Sequence, residues 1–194
     1  MNLSTRTLIA LCGAFIIAAP MAALAIVKPL RVAVPAWMPQ ITCVSEHLCL
    51  DDLARRQEAE TLYQHAGQIA TDAVGPFRHA PRLVFCSTRA CADTFGLGQR
   101  AAMAAGSLGL AVAPRGWVDF YVAHEMIHHR QAEQWGNLAM LTRPSWLVEG
   151  MAYSLSGDPR RPLPGQLEAW RAGFERWRAQ TQGSDLWTAA QAVR

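Results

Sequence analysis

The hydrophobic pattern of the chain changes along its length: short continuous apolar runs come early, and helical spacing dominates afterwards. The runs at residues 82–87 (RLVFCS) and 108–113 (LGLAVA) predict two buried strands, and residues 30–34 predict an earlier one. The rest of residues 28–50 has no helical period and contains a pair of cysteines, which is typical of a loop closed by a disulfide. We therefore expect a small sheet in the first part of the chain.

Helices are predicted mainly after residue 50. Apolar residues at three- and four-residue steps indicate a helix capped by Asp51 or Asp52, running to about residue 73 and stopped by Gly75 and Pro76. Five further helices are predicted, each from a start signal, a stop signal or an apolar stripe. They run from Ser87 or Thr88 to near Gly96, over about 117–135, from 145 to before Gly157, around 170–177, and from Ser184 or Asp185 onward. Strands early and helices late predict an α+β fold.

Size and charge narrow the possible functions. With 194 residues, 51% of them hydrophobic and 17% charged, the chain has the size of one compact domain. The formal net charge of +3 is spread along the sequence without a long run of Lys or Arg. Nucleic acid is therefore not expected as a partner.

The first 27 residues differ in composition from the rest. Arg6 precedes an almost unbroken apolar run over residues 8–27, which is typical of an export signal. The sequence Ala23-Leu24-Ala25 offers a signal-peptidase site, so residues 1–25 are predicted to be a signal peptide, and Pro20 favours cleavage. The run is also long enough to remain as an anchor to about residue 27. Residues 28–194 would then form a periplasmic or extracellular domain, released or tethered to the membrane.

Cysteine usage agrees with export. Beyond the apolar segment the cysteines form two close pairs, Cys43 with Cys49 and Cys86 with Cys91. An even number of cysteines in an exported chain predicts disulfides. Three connectivities are open, and the two local ones close the shortest loops.

The stretch His124-Glu125-Met126-Ile127-His128 carries the chemistry of the sequence. Residues four apart share one face of a helix, so the two imidazoles can bind one metal ion while the glutamate lies beside it. A catalytic zinc takes three protein ligands and leaves its fourth position to water. Glu125 is the predicted general base. His129 points about 100° away from His128 and is expected in a supporting or surface position.

The third ligand separates the classes of zinc peptidase. Gln131 and Gln134 stand where a metzincin has its glycine and third histidine, which excludes that class. Residues 146–152 (WLVEGMA) instead resemble the second motif of the gluzincin peptidases. The resemblance implies a zincin-like domain, a small sheet followed by an active-site helix and a glutamate helix. It also implies Zn²⁺ held by His124, His128 and Glu149, and a peptide or protein substrate.

The resemblance covers about residues 107–157 and carries further expectations. The strand near residues 108–113 would border the cleft and accept the substrate backbone, and Gly150 would let the glutamate helix approach the histidine helix closely. Many gluzincins have an acidic residue where this chain has Tyr153. Tyr153 and Tyr121 are rival candidates for orienting a histidine or stabilising an oxyanion.

Two functions follow from these motifs. The first is hydrolysis of peptide bonds by a metal-activated water with Glu125 as general base. The alternative is a non-catalytic, zinc-binding envelope protein, tethered to the membrane, that uses a peptidase fold to bind a partner. A structural zinc site has no need of a base and is normally closed by a fourth ligand, so Glu125 favours catalysis.

Overall fold

The computed structural model describes residue 24 and residues 26–193, and the described chain has the predicted α+β class. The strands are β1 (Thr42–Cys43), β2 (Leu48–Leu50), β3 (Leu83–Phe85), β4 (Ala102–Ala104) and β5 (Leu110–Val112). The helices are α1 (Arg56–Val74), α2 (Arg89–Thr94), α3 (Asp119–Trp135), α4 (Asn137–Met140), α5 (Ser145–Leu155), α6 (Gln166–Gln180) and α7 (Leu186–Gln191).

The five strands form one sheet in the order β1-β2-β3-β5-β4. The three inner strands run parallel, with Leu83 beside both Leu48 and Leu110. The outer strands β1 and β4 are antiparallel to their neighbours. β4 therefore has β5 on one side and a free edge on the other.

Alternating residues of the inner strands supply two cores. On one face Phe85 and Val112 are fully buried in the larger cluster, together with Met126 from α3 and residues of α1. On the other face Val84 and Ala111 belong to a smaller cluster covered by α2 and the amino-terminal segment. The period of two along each strand explains this division. The larger core fixes α3, the helix with the histidines, beneath the sheet.

Most predicted helices are confirmed with small shifts of their ends. Asp52 caps a short 3-10 helix, Leu53–Arg55, that leads into α1. Gly75 and Gly136 end α1 and α3 with φ of 82° and 87°, a conformation that glycine adopts without strain. Thr88 caps α2 and Asp185 caps α7 through their side chains.

Two local predictions were wrong, and two elements were not predicted. Residues 30–33 belong not to a strand but to the 3-10 helix Lys28–Ala33, which Val34 follows, because Pro29 lies in its first turn and Pro35 starts another such turn. The loop predicted for the rest of residues 28–50 contains β1 and β2. Strand β4 and the short helix α4 were not predicted.

Gly150 contacts a different helix from the one expected. A Cβ atom at this position would lie 2.3 Å from the carbonyl oxygen of Trp170 and 2.9 Å from the Cβ of Phe174. Both belong to α6, not to the histidine helix α3. The glycine therefore permits close packing of α5 on α6, and the expectation that it faces α3 was wrong.

The cysteines pair locally, Cys43 with Cys49 and Cys86 with Cys91. These two disulfides indicate an oxidising compartment and so support export. The predicted signal peptide or anchor lies almost entirely outside the described residues. Within residues 26–193 and at residue 24, no helix combines the length and apolar character that crossing a bilayer requires.

Candidate metal centre

Two helices bring three metal-binding side chains together. His124 and His128 lie one turn apart on α3, with their Nε2 atoms 3.1 Å from each other. Glu149 on α5 places Oε2 3.5 Å from each of these nitrogens. The three predicted ligands thus form a group that could hold a metal ion.

The spacing of the three atoms fits a tetrahedral ion. Ligand atoms about 2.0–2.1 Å from a tetrahedral zinc lie about 3.3 Å from one another. The observed separations of 3.1, 3.5 and 3.5 Å are close to that triangle. Two imidazoles and one carboxylate are also a donor set that zinc accepts in catalytic sites. The residues present therefore fit the metal.

Gln131 fixes the orientation of His128, and the sequence did not reveal this role. It is fully buried, and its Oε1 lies 2.8 Å from Nδ1 of His128. Its Nε2 donates to the carbonyl oxygen of Val148, the residue before the glutamate ligand. With Nδ1–H donating to the amide oxygen, Nε2 of His128 is the atom that faces the metal position and would bind the ion once its proton is displaced. Gln131 therefore connects both ligand-bearing helices.

The charges of the cluster match its geometry. Burial by itself would lower the pKa of His128, but the hydrogen bond and negative charge of Glu149 outweigh it and raise the pKa to about 9. Burial would raise the pKa of Glu149, and the two histidines instead lower it well below its usual range. Without a metal, the site therefore carries a proton that a cation would displace.

Glu125 lies beside the ligand group without belonging to it. Its Oε2 accepts a hydrogen bond of 2.7 Å from the backbone N–H of Ala104 in β4. The carboxylate is thus anchored to the edge strand and lines the same cleft as the three ligands. This is the placement expected of a base that acts on a metal-bound molecule.

The strand beside the cleft is β4, and the expectation for residues 108–113 was wrong. β5 lies inside the sheet, paired with β3 on one side and β4 on the other, so it cannot accept another strand. On either side of β4, the carbonyl oxygen of Ala101 accepts a hydrogen bond from the N–H of Ala113, and the N–H of Ala105 donates to the carbonyl oxygen of Gly109, so both groups face the β5 segment. Alternation then turns the amides of Ala102 and Ala104 to the free edge.

The two candidate tyrosines differ in their partners. The Tyr121 hydroxyl accepts a hydrogen bond of 2.9 Å from Arg160, which also forms a salt bridge with the buried carboxylate of Asp158. The Tyr153 ring packs 4.3 Å from the ring of His124, and no partner within the described chain bonds its hydroxyl. Burial, followed by the negative charge of Glu149, raises the pKa of Tyr153 to about 12, so the hydroxyl stays protonated.

His129 lies outside this group. It is 3% exposed, and its Nε2 lies 3.2 Å from the carbonyl oxygen of His79, near Glu133. The side chain therefore supports the packing behind α3 and does not reach the candidate metal position.

Comparison of the chain with models of known families, with curated proteins and with solved structures gives no match. The function is therefore inferred from the residues and geometry of the site.

Proposed function

We propose that this chain is a zinc-dependent peptidase of the gluzincin type with a zincin-like domain. One observation carries the proposal: His124, His128 and Glu149 converge on one point, and Glu125 lies beside that point without being a ligand. The resemblance of the two sequence motifs to gluzincins supports the same function.

The choice of zinc follows from the ligand set. Two imidazoles and a carboxylate with one open position are typical of hydrolytic zinc sites. Zinc at this position would supply a water of lowered pKa and a Lewis acid for the carbonyl group of the substrate.

The residues of the chain provide the proton transfers. Glu125 accepts a proton from the attacking water and passes it to the amine that leaves. The N–H of Ala104 holds one carboxylate oxygen of Glu125, so the base keeps its position in the cleft. This hydrogen bond also links the base to the strand that would bind the substrate.

Tyr153 is the better candidate for stabilising the developing oxyanion. The Tyr121 hydroxyl accepts a hydrogen bond from Arg160 and is held beside that side chain, whereas no described residue bonds the hydroxyl of Tyr153. Its ring lies against the ligand His124. A donor close to the metal position would stabilise negative charge that forms on the carbonyl oxygen.

The free edge of β4 is the proposed binding site for the peptide backbone. The outward amides of Ala102 and Ala104 can pair with an extended peptide that adds to the sheet. The N–H of Ala104 is used by Glu125, which leaves its carbonyl oxygen as an acceptor. An added peptide would thus lie directly beside the base.

The disulfides support action outside the cytoplasm, in the periplasm or the extracellular space. Tethering through the amino-terminal apolar segment is the alternative to release after cleavage at residue 25. Neither location changes the chemistry proposed for the site.

The proposal is tested with zinc-loaded wild type and Glu125→Gln on a broad peptide mixture, with zinc content measured for both. We expect one zinc per chain in each protein and a loss of hydrolysis of roughly 100-fold or more in the variant. Equal hydrolysis by both would exclude Glu125 as the base. Bound zinc without hydrolysis by the wild type would favour the non-catalytic, partner-binding alternative.

A further inference from the structure

The cleft around the metal centre changes its chemistry from one end of β4 to the other. The larger part, about 840 Å³, lies along Ala101, Ala102 and Met103 and contains three arginines. A second part, about 480 Å³, lies past Ala104 and is mostly apolar. Ala104, His128, Leu141 and Glu149 border both parts, so a bound peptide would span them.

The arginine end carries positive charge that is not neutralised by the chain. Arg100 precedes β4 and Arg115 follows β5, and the hydrogen bond from Ala113 N–H to the Ala101 carbonyl oxygen brings these two ends of the strands together. Both side chains are exposed and line the cleft. Among the described residues neither has a carboxylate partner: Arg115 donates to a backbone carbonyl oxygen and Arg100 to a thioether sulfur.

The third arginine of the cleft differs from these two. Arg160 donates to both carboxylate oxygens of Asp158, which offsets its charge. The unpaired charge at this end therefore comes from Arg100 and Arg115. Guanidinium groups in an open cleft favour a negatively charged group on a ligand, and a carboxylate is the group that a peptide can supply.

The opposite end suits an apolar side chain. The smaller pocket is lined by His128 and Glu149 and by the apolar side chains of Leu30, Leu108, Met140, Leu141 and Val148. Leu108 is 41% exposed and Leu141 81% exposed at its rim. Apolar surface left open beside a metal centre is typical of a binding pocket that a ligand covers.

The direction of β4 determines which end of a bound peptide lies at each end of the cleft. Antiparallel pairing is slightly more stable per residue than parallel pairing, so we take the added peptide to run antiparallel to β4. β4 runs from the arginine end, at Ala102, to the apolar end, at Ala104. The amino-terminal part of the peptide then lies in the apolar pocket and the carboxyl-terminal part lies near the arginines.

We propose that the cleft selects peptides in which the cleaved bond follows an apolar residue and precedes a carboxylate. This inference rests on the peptidase function proposed above. The carboxylate has two sources, an acidic side chain or the free carboxyl terminus of the substrate. The first belongs to an endopeptidase and the second to an enzyme that trims carboxyl termini.

The test compares kcat/KM of the zinc-loaded full chain on matched peptides with blocked ends. The parent has leucine before and glutamate after the central bond; others replace glutamate by glutamine, replace leucine by serine, or exchange the two residues. A fifth peptide has glutamine after the bond and ends there with a free carboxylate. We expect the parent to exceed its glutamine version about fivefold and its serine version about tenfold.

The two sources of the carboxylate are separated by the fifth peptide. If it is cleaved faster than the blocked parent, the terminal carboxylate is the preferred group; slower cleavage assigns that role to the acidic side chain. Faster cleavage of the exchanged peptide than of the parent would overturn the proposal. Equal cleavage of all peptides would overturn this inference alone, and no cleavage with zinc bound would overturn the peptidase function and this inference with it.

Variants test whether the arginine end of the cleft produces the preference for glutamate and the apolar end the preference for leucine. The double change Arg100→Gln and Arg115→Gln should bring the glutamate-to-glutamine ratio of kcat/KM to about one. The double change Arg89→Gln and Arg176→Gln removes the same charge from exposed positions outside the cleft and should leave that ratio unchanged. Leu108→Ser changes a residue that lines the apolar part alone and should reduce the leucine-to-serine ratio, whereas Leu53→Ser, 54% exposed and outside both parts, should not. If a cleft variant and its control variant changed the ratio of kcat/KM equally, the cleft residues would not be the source of the preference.

Discussion

Replacing Gly150 by alanine tests how the position of Glu149 depends on the packing of α5 against α6. The new Cβ would lie 2.3 Å from the Trp170 carbonyl oxygen, whereas ordinary contacts begin near 3.4 Å. The two helices must therefore separate by about 1 Å, since the opposing atom is backbone and cannot rotate away. Glu149 is the preceding residue, so the same displacement moves a metal ligand.

The cost can be estimated from its two parts. Overpacking of this kind typically destabilises by 1–3 kcal/mol, and a contact with backbone belongs at the upper end of that range. Alanine gains about 1 kcal/mol over glycine in a helix interior. The net loss is about 2 kcal/mol, which corresponds to a fall in Tm of about 4–8 °C for a chain of this size.

The control is Gly67→Ala in α1, where the new Cβ would lie 3.9 Å from the Met126 sulfur in ordinary contact. This variant keeps the gain in helix propensity and should raise Tm by about 2–4 °C. Thermal unfolding and zinc affinity are measured for both variants. If Gly150→Ala also raised Tm and bound zinc like the wild type, the close packing described for α5 and α6 would be wrong.

Three further predictions follow from contacts in and beside the site. Tyr153→Phe should lower kcat by roughly 100-fold with little change in KM, and Tyr121→Phe should lower it less; equal effects in steady-state assays would reject the oxyanion role. Gln131→Leu should weaken zinc binding about 10–100-fold in competition with a chelator, because His128 loses its orienting partner, and unchanged affinity would exclude that role. Burial would raise the pKa of Asp158, but its hydrogen bonds to Arg160 outweigh burial and lower that pKa. The ionised carboxylate therefore stabilises the fold above the unfolded pKa of 3.8, and this stability is lost as pH falls through the folded value. Asp158→Asn should therefore cost about 1–2 kcal/mol in urea unfolding at pH 7 and less at pH 3, and a cost that does not vary with pH would contradict this.

The helices of the site were predictable from sequence because their signals are local. α3 combines a buried face with a stop at Gly136, and α5 follows directly on Pro144. The spacing of His124 and His128 requires only the helical period. The three side chains that could hold a metal ion, and the glutamate beside them, were therefore predictable from sequence.

The parts that sequence did not reveal depend on contacts distant along the chain. β4 is three residues of alanine and methionine, without the β-branched or aromatic residues that mark strands, and its place at the edge depends on pairing with β5. The partner of Gly150 is set by the path of α6, which no spacing in the glutamate motif encodes. Gln131 has an ordinary position on a helix, and its role is evident only when α5 lies opposite it.

The proposed metal centre is tested most directly by the zinc content of the purified protein after dialysis, measured for wild type, His128→Ala and His65→Ala. His65 is an exposed histidine on α1 outside the ligand group and serves as the control. We predict one zinc per chain in the wild type and the control and none retained in His128→Ala. A wild type without zinc, or His128→Ala with as much zinc as the wild type, would contradict the proposed metal centre.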